Sequence, residues 1–221
     1  MIWRFAFGDR DVSVTATAPR GAADRSPSVQ YSIYPDRETK ERNGAQLDGP
    51  SLVSRQFWSE ASHVFASTSI FDIEDPASFR LFALSNRDLV RRIRRIRVWC
   101  YITVPSHLCS ISRWAAVLTS SIVGRLERLK GLEFEVVLDV AHTPLFTRTD
   151  VMTDPRWKAL KMPVILRSLQ QHQLQRNRTN VTVIHRRHGT AFVDTDPLRR
   201  VISSLLMEYH PRRISKRGSA S

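Results

Sequence analysis

"RRIRVWCYI", residues 94–102, is the stretch that decides the fold. Ile96, Val98, Cys100 and Ile102 alternate with Arg95, Arg97, Trp99 and Tyr101, a period of two that gives a strand one apolar face and one charged and aromatic face. "LEFEVVLDV" (132–140) repeats the pattern, with Leu132, Phe134, Val136, Leu138 and Val140 on one face, and "NVTVIHRR" (180–187) reads as a third strand. Helical periods separate them. Ser110 opens a predicted long helix with Trp114, Val117, Leu118, Ile122, Leu126 and Leu129 as its apolar stripe and Gly131 as its left-handed stop. Asp154-Pro155 starts a helical region through Trp157, Leu160, Ile165 and Leu169, which Pro163 must kink or divide. Asp196-Pro197 opens a last helix containing Leu198, Val201, Ile202 and Leu205. This alternation predicts an α/β fold of irregular strand-helix repeats, right-handed crossovers and a mainly parallel sheet. Because the strands alternate rather than being wholly apolar, a one-sided, leucine-rich-repeat-like arrangement is expected, although no repeat consensus is present.

Working outward, residues 51–209 form the predicted α/β domain. Ser51 can cap a helix carrying Val53, Phe57, Ala61, Val64 and Phe65; Ile70, Phe71 and Ile73 follow as a short strand. Asp75-Pro76 is a helix start, and Ser85 with Asp88 marks a second short capped helix. The runs 2–7 and 11–17 around "GDRD" are expected to form an N-terminal β-hairpin (1–17) packed on the main domain. Residues 18–50, rich in Pro, Gly, Ala, Asp and Arg, read as a flexible loop or linker, and 210–221 as a basic disordered tail.

The 221 residues carry a net charge of +13, concentrated in two places. Residues 87–97, "RDLVRRIRRIR", hold six Arg and one Asp, and the tail 211–221 holds three Arg and one Lys. Such clusters attract nucleic acid or an acidic protein. The tail also has the composition of a nuclear import signal or a basophilic kinase site, against the simpler account of a solvated chain end. No run approaches the roughly 18 apolar residues of a membrane helix, and Asp9 and Arg10 come too early for a signal-peptide core. The protein is therefore expected to be intracellular, cytoplasmic or nuclear, with no membrane partner and with the sequons at Asn177 and Asn180 idle. Cys100 and Cys109 are too few for a disulfide framework or a cysteine zinc site, and Cys100 reads as a buried apolar residue.

Motifs for catalysis are missing: there is no Walker loop, dinucleotide glycine fingerprint, nucleophile elbow or His-Glu-x-x-His. His185 and His188 in "HRRH" could hold a metal, but no carboxylate or cysteine is close in sequence, and a solvent-facing strand end is the stronger expectation. Asp139 and His142 bracket a strand exit, where α/β enzymes keep catalytic groups, without an evident third partner. The expectation is a protein without cofactor or metal that is not an enzyme.

The stretch 52–71, "LVSRQFWSEASHVFASTSIF", resembles a family of uncharacterised fungal proteins related to F-box-like proteins. An apolar pair, Arg-Gln, an apolar residue and Glu-Ala match at Leu52, Val53, Arg55, Gln56, Phe57, Glu60 and Ala61, with Ser54 before them and Phe71 downstream. Ala66 and Ser69 stand where the family has Tyr and Asn. "DPASFRLF" and "RRIRRIRV" extend the similarity to a helix and the strand after it, so that it covers roughly residues 50–140. It corresponds to the part after the F-box-like segment, whose Leu-Pro and Glu-Leu-Arg pattern is absent here. The resemblance implies a protein-interaction role, such as the substrate-recognition part of such a protein. Arg55, Gln56, Glu60, Ala61 and Phe71 are read as structural, joining a helix to the fold.

Arg95, Arg97, Trp99 and Tyr101 form the candidate binding face: arginines among aromatics can anchor a protein partner or stack on single-stranded nucleic acid. A competing expectation is internal. Glu133, Glu135 and Asp139 occupy the matching face of the next strand, and if the strands are neighbours the arginines and acids form a cross-strand charge ladder. The first functional expectation is a protein-interaction domain with a partner of unknown identity. The second is nucleic-acid binding through the Arg-rich stretch 91–101, using Arg91, Arg92, Arg94, Arg95 and Arg97 with Trp99.

Overall fold

Among the described residues, seven strands form one sheet in the order β2-β1-β3-β4-β5-β6-β7. They are β1 (Asp11–Thr17), β2 (Ser28–Tyr34), β3 (Ile70–Ile73), β4 (Arg95–Ile102), β5 (Gly131–Asp139), β6 (Thr179–Arg187) and β7 (Thr190–Val193). The structure, a computed structural model, describes residues 10–17, 28–34, 55–85, 87–102, 110–139, 152–153, 157–158, 161–187, 190–193 and 197–209. From β1 through β3, β4, β5 and β6 every neighbouring pair is parallel, and β2 and β7 pair antiparallel at the two ends. The mainly parallel α/β sheet read from the alternating strands is thus what the chain forms.

The crossovers carry helices α1 (Arg55–Thr68), α2 (Pro76–Ser85), α3 (Arg87–Arg92), α4 (Ser110–Val117), α5 (Ser120–Val123) and α6 (Met162–Leu169), and α7 (Pro197–Met207) follows β7. Helices α2, α4, α6 and α7 touch in that order, with α2 against β1 to β3, α4 against β4 and α7 against β6. The face they cover is the apolar one: Val12, Val14, Phe71, Ile73, Ile96, Val98, Leu132, Phe134, Val181 and Val183 join Phe79, Phe82, Trp114, Ile165, Leu169, Leu198 and Ile202 in a single core. Sequential strand order with crossovers of one hand places successive helices on one side, which leaves the other face to the alternate residues of each strand.

Local signals set several boundaries where they were expected. Asp75 accepts the Ser78 amide at 2.8 Å and Pro76 is the first residue of α2. Pro197 likewise opens α7. Pro163 divides its region: Lys161 turns left-handed at φ 56°, and α6 begins immediately after it with the proline in its first turn.

Three expectations about helix limits are corrected. The long helix from Ser110 is broken, because Thr119 is extended (φ −94°, ψ 154°) between α4 and α5. The run Thr119-Ser120-Ser121 favours that break, since hydroxyls compete with the helix ladder, and Thr119 Oγ1 lies 3.1 Å from Ser121 Oγ. The apolar stripe still packs inward at Trp114, Val117, Leu118, Leu126 and Leu129. Gly131 is the first residue of β5 rather than a helix stop. Ser85 bonds back to the Phe82 carbonyl at 3.1 Å within α2 instead of capping α3.

At the amino end, the antiparallel partner of β1 is β2, which lies inside the stretch 18–50 read as a loop. The run 2–7, expected as the hairpin's other strand, falls outside the described residues. "SVQYSIY" alternates Val29, Tyr31 and Ile33 toward the core, a strand signal masked by the Pro- and Gly-rich composition around it. The basic tail 210–221 also lies outside the described residues.

Candidate functional site, a charge ladder and a basic groove

Strand pairing sorts the arginines of residues 91–97 into different roles. Asp72, Arg97 and Glu133 fall on one row across β3, β4 and β5, so their side chains meet on the sheet face away from the helices. Arg97 Nε donates to Glu133 Oε2 at 2.7 Å, and its Nη1 reaches Asp11 Oδ1 at 3.2 Å and Asp72 Oδ2 at 3.3 Å. Glu135 Oε1 lies 3.7 Å from Arg97 Nε, and Arg95 Nη2 lies 3.5 Å from the other Glu133 oxygen. One planar fork thus serves carboxylates from three strands, a task for which guanidinium is suited and a point-charge ammonium is not.

The Arg97 side chain is only 4% exposed. Burial alone would pull its pKa down, but the carboxylates of Glu133, Asp72 and Asp11 outweigh that and hold the guanidinium charged. Burial raises the Asp11 pKa above the usual carboxylate value; Arg97 offsets part of the rise, and Asp72 and Glu133 add to it. Trp99 donates its indole N–H to Asp72 Oδ1 at 2.7 Å and stacks on Tyr101 with ring centres 6.4 Å apart. Of the expected binding face, Arg97 is therefore committed inside the fold, while Arg95, Trp99 and Tyr101 are half-buried. The cross-strand ladder is what these residues build.

The remaining arginines separate further. Arg91 pairs with Glu127 at 2.8 Å on the surface, and Arg92 reaches Ser62 Oγ at 3.3 Å, tying α3 to α1. Arg94 and Arg95 line an open groove of about 610 Å³ at the amino ends of the parallel strands. Its other walls are His63, Val64, Ser67 and Thr68 of α1, and Asn177 and Arg178 of the 3₁₀ turn Arg176–Arg178 that leads into β6. Arg94, Arg178 and His63 have no acidic partner among the described residues. Its described lining residues include three arginines and no carboxylate, which suits an anionic guest.

Its floor is rigid. The Arg94 carbonyl accepts the amides of Lys130 and Gly131, both at 2.9 Å; the Lys130 carbonyl accepts Gln175 N at 2.7 Å, and the Gln175 carbonyl accepts Arg178 N at 2.9 Å. Gly131 is required for close approach: a Cβ there would lie 2.7 Å from the Arg178 carbonyl oxygen, 2.9 Å from Arg178 Cβ and 3.2 Å from Arg95 Cγ. Gly131→Ala should therefore push the turn away, costing about 1–3 kcal/mol of stability by overpacking. Urea unfolding would show the loss, and the Arg178 amide resonance should move most among those of the turn.

The other sequence candidates do not converge. Ala61 and Phe71 are fully buried, in keeping with a structural role, and Phe71 contacts Phe65 of α1 edge-on at 5.5 Å. Arg55, Gln56 and Glu60 lie on α1, with side chains outside the described residues. Asp139 ends β5 and His185 sits on β6, while His142 and His188 are outside the described residues. Among the described residues no group of three His, Cys, Asp or Glu is arranged to hold a metal, and no helix is long and apolar enough to cross a membrane. Cys100 is fully buried in the core, as a small apolar residue would be. The sequence left His63, Asn177 and Arg178 unnoticed as site residues; a basic turn before a strand was the only local signal, and strand order alone brings it beside Arg95. No family model, curated protein or solved structure matches the chain.

Proposed function

We propose that this chain is a non-enzymatic protein-interaction domain that docks an acidic segment of a partner protein in the groove between α1, the start of β4 and the turn 176–178. The observation carrying this reading is the convergence of Arg94, Arg95, Arg178 and His63 on one open groove, with no acid among its described lining residues and a hydrogen-bonded backbone floor. The resemblance of residues 50–140 to the part after the F-box-like segment points the same way, as does a one-sided, leucine-rich-repeat-like arrangement in which strand ends present binding groups. A protein guest is favoured over single-stranded nucleic acid because bases need aromatic platforms. Among its described lining residues there is no Phe, Tyr or Trp, and Trp99 and Tyr101 are engaged with Asp72 and with each other.

The test is anisotropy of the full chain with a labelled glutamate-rich peptide and with a single-stranded oligonucleotide of equal charge. Arg94→Glu combined with Arg178→Glu should weaken the peptide at least about ten-fold, because two attractive contacts become repulsive. The fold should be unaffected, since neither side chain pairs with an acid among the described residues. Unchanged peptide affinity in the variant would refute the groove. Tighter binding of the oligonucleotide, with a steep salt dependence, would favour the nucleic-acid reading instead.

A further inference from the structure

The turn Arg176–Arg178 separates two grooves and gives one arginine to each. Arg178 lines the groove described above, and Arg176 lines a second, of about 360 Å³, against α7. The α7 wall is a single helical face, Arg200, Ser203, Ser204 and Met207, spaced i, i+3, i+4 and i+7. The opposite stripe, Leu198, Ile202 and Leu206, is buried in the core, and Gln170 Nε2 donates to the Leu205 carbonyl at 2.7 Å, so this face cannot rotate away. Across from it stand Arg176 and Thr179, with Val181 deeper in the strand.

Thr179 supplies the telling detail. Its Oγ1 is buried and has no hydrogen-bond partner, whereas buried hydroxyls are normally satisfied. Thr179 shares the lining of this groove with two arginines and two serines, with no acid among the described lining residues, and together they offer a donor set for a tetrahedral oxyanion. Phosphate offers three acceptor oxygens and close to two negative charges, which Arg176 and Arg200 can share from opposite walls. Carboxylate, planar and singly charged, would leave part of this set idle.

We propose that the second groove seats a phosphorylated side chain of the same acidic segment that docks in the first, so that the partner is recognised in its phosphorylated form. This rests on the docking reading: a chain crossing the turn would place its acidic residues against Arg94, Arg95 and Arg178 and its phosphate between Arg176 and Arg200.

Calorimetric titration of the full chain would compare three peptides: an acidic peptide carrying one phosphoserine, its unphosphorylated twin, and a twin with two aspartates at that position. The phosphopeptide should bind at least about ten-fold more tightly than either, the aspartate pair matching its charge but not its geometry. Arg176→Gln with Arg200→Gln should erase the preference while leaving the affinity of the twin unchanged. Thr179→Val keeps the shape and removes the orphan hydroxyl; the preference should fall about five-fold while Tm stays the same or rises, since no internal hydrogen bond is lost. A merely structural threonine would show the Tm effect alone. Equal binding of the three peptides, or a preference that survives the double variant, overturns the proposal. If no peptide binds, the docking reading fails, and the second groove is judged separately by inorganic phosphate. Amide shifts at Thr179, Ser203 and Ser204 that vanish in Arg200→Gln would uphold an oxyanion site, and their absence would dismiss it.

Discussion

Arg97→Met should lower the unfolding free energy by about 3–5 kcal/mol at neutral pH, the cost of leaving buried carboxylates without their cation. Met keeps most of the stem's volume, so the loss is electrostatic rather than a cavity. Asp11, Asp72 and Glu135 would lose a partner while each stays almost wholly buried, and Glu133 would keep only Arg95 among the contacts described above. The deficit should shrink in acid. Burial already raises the Asp11 pKa, and without the opposing pull of Arg97 it rises further above its unfolded value. A carboxyl shifted upward stabilises the fold fully below its unfolded pKa and loses that contribution as pH rises through the folded pKa. Urea midpoints of variant and parent should therefore differ most at neutral pH and converge toward about pH 4. Arg97→Lys should recover part of the loss, because one ammonium cannot fork to carboxylates on three strands. A variant of parental stability would mean that Arg97 is displayed for binding after all.

Trp114→Ala should cost a comparable 3–5 kcal/mol by a different mechanism. Trp114 is fully buried on α4, meets Phe79 of α2 edge-on at 5.7 Å, and donates its indole N–H to the Trp99 carbonyl at 2.8 Å. It therefore joins two helices to the central strand, and its removal opens a cavity that the sheet cannot close. Trp114→Phe retains much of the ring and gives up the hydrogen bond, so about 1–2 kcal/mol is expected. Thermal or urea unfolding would order the pair, and equal losses would show that the hydrogen bond, not packing, dominates. Neither change touches the grooves, so the folded fraction should bind the acidic peptide as the parent does.

Some of this could be read from residue order alone. A period of two in 94–102, 132–140 and 180–187 can bury only one face of a strand, and Asp-Pro before an apolar helical run starts a helix wherever it folds. Alternating Arg with aromatic residues on one strand and Glu on the next made an internal ladder foreseeable, and the helical and strand periods made the burial of Ala61 and Phe71 foreseeable. Sequence masked β2, because its alternation sits inside turn-rich composition, and it misassigned Gly131, because a glycine needed for close approach looks like one needed for a left-handed turn.

By itself, then, the sequence determined the α/β class, the parallel core strands and the presence of surplus basic charge. Only the tertiary structure decided which arginines are free. Arg94 and Arg97 are three residues apart and chemically identical, yet one lines an open groove and the other lies under four carboxylates. The difference comes from strand order, which sets Asp11, Asp72, Glu133 and Glu135 around Arg97 and brings Arg178 beside Arg95 from more than eighty residues away. Periodicity is a local property of the backbone and survives in any window of sequence, whereas charge pairing is a property of neighbours in space.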